Sequence, residues 1–107
     1  MFNFRPGSGW NFEIELRCFI IFKRLESEGF PKGMQTDLCR VLTESTEISF
    51  ESLKAKVGNY KSELGVTNDS NSSEATKYIA SNFGHLSVSE AEVLLTGYLI
   101  GKSEAIA

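Results

Sequence analysis

Histidine occurs once in this sequence, cysteine and proline twice each and tryptophan once, and each scarcity closes off some chemistry. His85 has no second histidine and no cysteine at ligand spacing, so no metal set and no His-based catalytic pair can be built around it. It follows Gly84 in a turn between two helical segments, where a solvated imidazole is the ordinary outcome. Cys18 and Cys39 lie inside helix-like patterns and read as reduced core thiols, not as a disulfide or a redox pair. Long hydrophobic runs are missing as well. The longest, Cys18 to Phe22, falls far short of the roughly 18 to 20 residues a membrane span needs, and the N-terminus lacks a basic start followed by an apolar stretch. The expectation is a cytoplasmic protein with no membrane partner.

Excess positive charge is also lacking. The formal charge is −3, with six basic against five acidic residues over 1–40 and five against nine over 41–107. A nucleic-acid partner held by the overall field is thereby excluded, and any such contact has to be local. Catalytic carboxylate pairs are not evident. Glu13/Glu15, Glu26/Glu28 and Glu90/Glu92 stand two residues apart, point to different helix faces and read as solubilising, or at Glu90 as capping. "RPGSGW", residues 5–10, follows no strand and lacks the lysine of a phosphate loop. These absences together predict no enzyme, no cofactor and no metal site.

What the sequence has is helical spacing, with end signals, in five places, and no alternating strand pattern. The first helix is expected over about 12–28, capped by Asn11 and stopped by Gly29, with apolar residues on two sides. Such a helix is either central in the fold or part of an interface. The second spans about 34–44. The third starts after Ser49 and ends near Leu64 and Gly65. The fourth is expected over about 72–83 from a capping box at Asn71 and Glu74, and the fifth over 88–100 from the box Ser87/Glu90, with a stop at Gly101. The prediction is an all-α orthogonal bundle of about five short helices. A flexible arm is expected over 1–9, one helical domain over 10–101 and a tail over 102–107.

The third helix carries the only functional signal of substance. With 100° per residue, Phe50, Leu53, Val57, Tyr60 and Leu64 form a core stripe within about 80°. Opposite lie Glu51, Ala55, Gly58, Asn59 and Ser62, with Lys54 and Lys61 on one flank and Lys56 near the other. Gly58 costs a helix about 1 kcal/mol relative to alanine, so its missing side chain has to serve something. One reading sets the small strip against DNA, with Lys54, Lys56 and Lys61 on phosphates and Asn59 on a base edge. The other treats the lysines as stems lying along the border of the buried stripe, as on any surface helix. Glu51 and Glu63 reduce the local charge and count against the first.

Trp10 with Glu13 and Leu16, followed by "SLKAKVGNYKSELGVTNDS" at 52–70, resembles the small helical domain N-terminal to the catalytic part of some HNH-type restriction endonucleases and related restriction proteins. Asn59, Leu64, Gly65, Asn68 and Ser70 follow that family's rhythm, and the similarity covers roughly 10–95. It implies a helix-turn-helix-like module that binds double-stranded DNA. No nuclease domain is expected within these residues, where one histidine cannot supply an HNH site, so nuclease activity is not expected of this chain. The competing expectation is a protein-interaction or homodimerisation domain. It would use apolar faces of the first and fifth helices, the latter with Gly97 and Gly101 four apart and Val93 and Ile100 off the main stripe of Ala91, Leu94, Leu95 and Tyr98.

Overall fold

Five α-helices make up the computed structural model, which describes residues 2–68 and 72–106, the last three by backbone alone. They are α1 (Phe12–Ser27), α2 (Met34–Glu44), α3 (Phe50–Glu63), α4 (Glu74–Phe83) and α5 (Val88–Ile106), and no strand occurs among the described residues. The fold is a small all-α bundle.

Local chemistry fixes the helix ends. The Asn11 side chain accepts the Ile14 N–H at 2.9 Å, and Ser49 and Ser73 do the same for Ser52 and Thr76. α1 and α3 finish alike: a left-handed glycine (Gly29, φ 77°; Gly65, φ 84°) lets the next amide reach back, Phe30 to the Leu25 carbonyl and Val66 to the Lys61 carbonyl, each at 2.7 Å. α5 opens on the expected box, with the Ser87 N–H donating to Glu90 Oε1 at 2.9 Å and the Glu90 N–H to Ser87 Oγ at 3.2 Å. The Ser87 backbone N–H first, and the Ser87 side chain second, hold the Glu90 carboxyl below its ordinary range.

Two boundaries differ from expectation. α4 begins at Glu74 with Ser73 as its cap, and the expected cap Asn71 lies outside the described residues. α5 does not stop at Gly101 but continues to Ile106. Glycine ends a helix by turning left-handed, and Gly101 has no positive φ. The residues after it, Lys102 to Ala105, are compatible with further turns.

α1 is the central element and touches the other four helices, which accounts for its two apolar sides. Leu16, Cys18, Phe19, Phe22 and Leu25 are enclosed, with Leu53, Val57 and Tyr60 of α3 and Ile79 of α4 packed around them. Both cysteines are free and buried, and burial pushes both thiols above their usual range, Cys18 far above. No helix is long and apolar enough to cross a membrane among the described residues.

Candidate functional site

α3 buries Leu53, Val57 and Tyr60 and turns its opposite side outward. A methyl group built on Gly58 would meet no atom of another element within 4 Å, so nothing packs against that position. Ser52 and Ala55 are exposed beside it, and Asn59 is half-exposed.

The three lysines do not share this face. Lys54 and Lys61 stand on the α2 side. The Lys61 ammonium donates to Gln35 Oε1 and lies 5.7 Å from the Phe30 ring centre, while Lys54 lies 5.8 Å from that of Phe50. Gln35 in turn donates to the Lys54 carbonyl at 3.2 Å. Lys32, from the loop before α2, lines the same recess, and the Arg40 guanidinium sits 5.0 Å from the Phe50 ring. The α2–α3 seam thus gathers cations that come from two helices and a loop.

Lys56 points the other way. Its ammonium is 2.8 Å from Glu15 Oε2, and the two side chains are only 12% and 1% exposed. Glu15 Oε1 accepts the Tyr60 hydroxyl at 2.8 Å and the Thr76 hydroxyl at 3.0 Å. Lys56 also donates to Thr76 Oγ1 at 3.1 Å and to Ser73 Oγ at 3.4 Å, and stands 4.8 Å from the Trp10 ring centre. Every oxygen of the buried carboxylate is therefore engaged, as a charge in a low-dielectric interior requires. Tyr60 is held far above the usual phenol range, by burial first and by the adjacent Glu15 charge second. This cluster joins α1, α3 and α4, and Lys56 cannot reach a phosphate without leaving it.

Above the cluster lies an open groove of about 760 Å³. It is lined by Ser52, Ala55 and Asn59 of α3, by the N-terminal segment with Asn3, Arg5 and Trp10, and by the start of α4 with the acidic Glu74. That segment is laid along the body: the Phe2 ring centre is 5.8 Å from that of Phe12 and 5.3 Å from that of Tyr78. The structure thus brings Asn59 together with Arg5 and Trp10, and separates Lys56 from Lys54 and Lys61.

Reading the sequence missed Glu15 and Lys23 as buried charges. Lys23 is 4% exposed and donates to the Gly84 carbonyl, where it caps the C-terminal end of α4, and to Glu26 at 2.9 Å. The signal was present: on the α1 wheel Glu15 falls between Phe22 and Phe19, and Lys23 between Phe19 and Leu16, inside the apolar sector. Among the described residues no group of histidine, cysteine and acidic side chains is arranged to hold a metal ion. No protein-family model matches the chain, and no curated protein or solved structure matches it either.

Proposed function

We propose that this chain is a non-enzymatic module that binds double-stranded DNA along α3, as its resemblance to the restriction-endonuclease domains implies. The observation that carries the reading is the open space over Gly58. A helix whose outer strip is Ser52, Ala55, Gly58, Asn59 and Ser62 can approach a duplex closely, and a major groove about 12 Å wide admits one. Cations stand on both sides of the strip: Lys54 and Lys61 toward α2, and Arg5 across the groove. Asn59 lies between them, with an amide suited to a two-pronged contact with adenine. In this reading α2 and α3 form the helix-turn-helix-like pair, and Lys56 serves by anchoring α3 to α1.

Arg5, Lys54 and Lys61 each neutralising one phosphate gives a salt slope of about −2.7, or roughly fortyfold weaker binding between 50 and 200 mM salt. A gel-shift titration with mixed-sequence duplex tests this. Replacing Arg5, Lys54 and Lys61 together by alanine should abolish the shift with helicity unchanged, and an undiminished shift would refute the assignment. A second reading, association through apolar surface of α1 and α5, rests on a separate observation: Val93 and Ile100 of α5 are 71% and 55% exposed.

A further inference from the structure

The recess between α2 and α3, about 230 Å³ in volume, gathers three ammonium side chains: Lys32 from the loop before α2, and Lys54 and Lys61 two turns apart on α3. Leu25 and Phe30 also line it, and no acidic residue does so among the described residues. The acids of the adjoining turns, Glu28, Asp37, Glu51 and Glu63, are all exposed and lie outside the lining. In a chain of net charge −3 such a cluster runs against the overall balance, and like charges held together cost stability unless an anion neutralises them. The cluster is also held in place. Gln35 accepts from the Lys61 ammonium and donates to the Lys54 carbonyl at 3.2 Å, and the Phe30 ring centre lies 5.7 Å from Lys61 Nζ. Gln35 takes one proton of an ammonium that can donate three. Burial holds the Cys39 thiol above its usual range, and the charges of Lys54 and then Lys61 act against that shift, so both are felt at one point under the seam.

We propose that this recess is a seat for one phosphate group. Its donors select that anion. Ammonium ions are compact point charges that approach from several directions, which suits a tetrahedral oxyanion, whereas a planar carboxylate is matched by the fork of an arginine, and no arginine lines the recess among the described residues. Buried Leu25 and half-buried Phe30 make part of the lining apolar, so a charge contact inside is screened less than one on the open surface. The same seat takes the monoester of a small free molecule or one diester of a duplex backbone. Only in the second case does the inference rest on the DNA-binding reading, and Lys54 and Lys61 then hold their phosphate jointly with Lys32.

Inorganic phosphate is the probe. Titrated into the full chain at constant ionic strength, with chloride as the balancing anion, it should bind saturably with a dissociation constant on the order of 1 mM, a modest demand on so small an anion. The NMR signals of the backbone amides of 32–36 and of the Gln35 side chain should move along one saturating curve. K32A and K61A together should raise the constant at least about tenfold with helicity unchanged, and K102A, on α5, should leave it unaltered. Lys32 is exposed in a loop, so K32A alone, which should weaken binding at least about threefold, leaves the fold intact. A response that does not saturate, that chloride reproduces, or that K32A and K61A leave unchanged overturns the seat, even where duplex still binds. A duplex with 5′-hydroxyl ends identifies the source: displacement of the bound phosphate assigns the seat to a backbone diester, and duplex bound without displacing it assigns the seat to a free monoester. Saturable phosphate with no duplex binding keeps the seat and refutes the DNA-binding reading alone.

Discussion

Replacing Lys56 by methionine separates a structural lysine from a DNA-contacting one. The substitution keeps the aliphatic stem and removes the ammonium, leaving Glu15 as a carboxylate 1% exposed with two hydroxyl donors and no counter-charge. Removing one partner of a fully buried pair costs about 3 to 5 kcal/mol. Water reaches Lys56 to the extent of its 12% exposure, which lowers the expectation to about 2 to 4 kcal/mol. For a domain of this size that is a fall in melting temperature of roughly 10 to 25 °C. Urea and thermal unfolding followed by circular dichroism measure it. In the double variant E15Q/K56M no charge remains in the cluster, and the neutral amide oxygen still accepts from Tyr60 and Thr76. It should recover at least about 1 kcal/mol, giving a coupling energy that neither single change shows. A loss below about 0.5 kcal/mol, the ordinary figure for a surface side chain, would refute the buried pair and return Lys56 to the phosphate-facing set.

Alkaline pH tests the same cluster from Tyr60. The folded chain keeps the phenol proton while the unfolded chain loses it near pH 10, so above that pH the unfolded state binds fewer protons and stability falls, by about 1.4 kcal/mol per pH unit. Urea midpoints between about pH 8 and 11 should show this decline in the wild type and a shallower one in Y60F, and a Tyr60 phenolate formed in the still-folded chain would contradict it. Two glycines should respond oppositely. G58A should gain up to about 1 kcal/mol because its position is helical and open, and should weaken duplex binding if the strip lies against DNA. G84A should lose about 1 to 3 kcal/mol, since its Cβ would fall 2.5 Å from the Ala80 carbonyl oxygen and 2.5 Å from Leu64 Cδ2. Equal responses at the two sites in unfolding midpoints would count against both assignments.

The five helices were legible because each starts and stops through chemistry carried by one or two residues. Asn11, Ser49 and the Ser87/Glu90 box hold their helix starts as expected, and Gly29 and Gly65 turn left-handed at the ends of theirs. The reading went astray where the outcome depends on a partner distant in sequence. Gly101 has a stop signal's identity, but a glycine stops a helix only when it turns left-handed, and this one stays helical. Glu15 looked like a solubilising acid because Lys56, 41 positions later, and Thr76, 61 positions later, cannot be paired with it from spacing. The separation of Lys56 from Lys54 and Lys61 was visible on the wheel, but its meaning depends on α1 and α4 standing on that flank. The groove had no local signature, because part of its lining is the N-terminal segment folded back across the helices.

Placing Lys56 inside the cluster also alters how the proposed DNA face acquires its charge. A strip that relied on α3 alone would carry Lys54 and Lys61 against Glu51 and Glu63 and have no local excess. Cations from outside the helix change that balance: Lys32 and Arg40 along the α2 seam, and Arg5 across the groove. In the proposed reading the cations of this face are brought together by tertiary packing, against Glu74, which lines the same groove as Arg5, so their arrangement depends on how α3 sits against α2 and the N-terminal segment. The buried Glu15–Lys56 pair has an orienting role here as well as a cohesive one. Hydrophobic contacts through Leu53 and Val57 tolerate small rotations of α3 about its axis, whereas hydrogen bonds and an ion pair near 3 Å from Tyr60, Lys56 and Thr76 to one carboxylate do not.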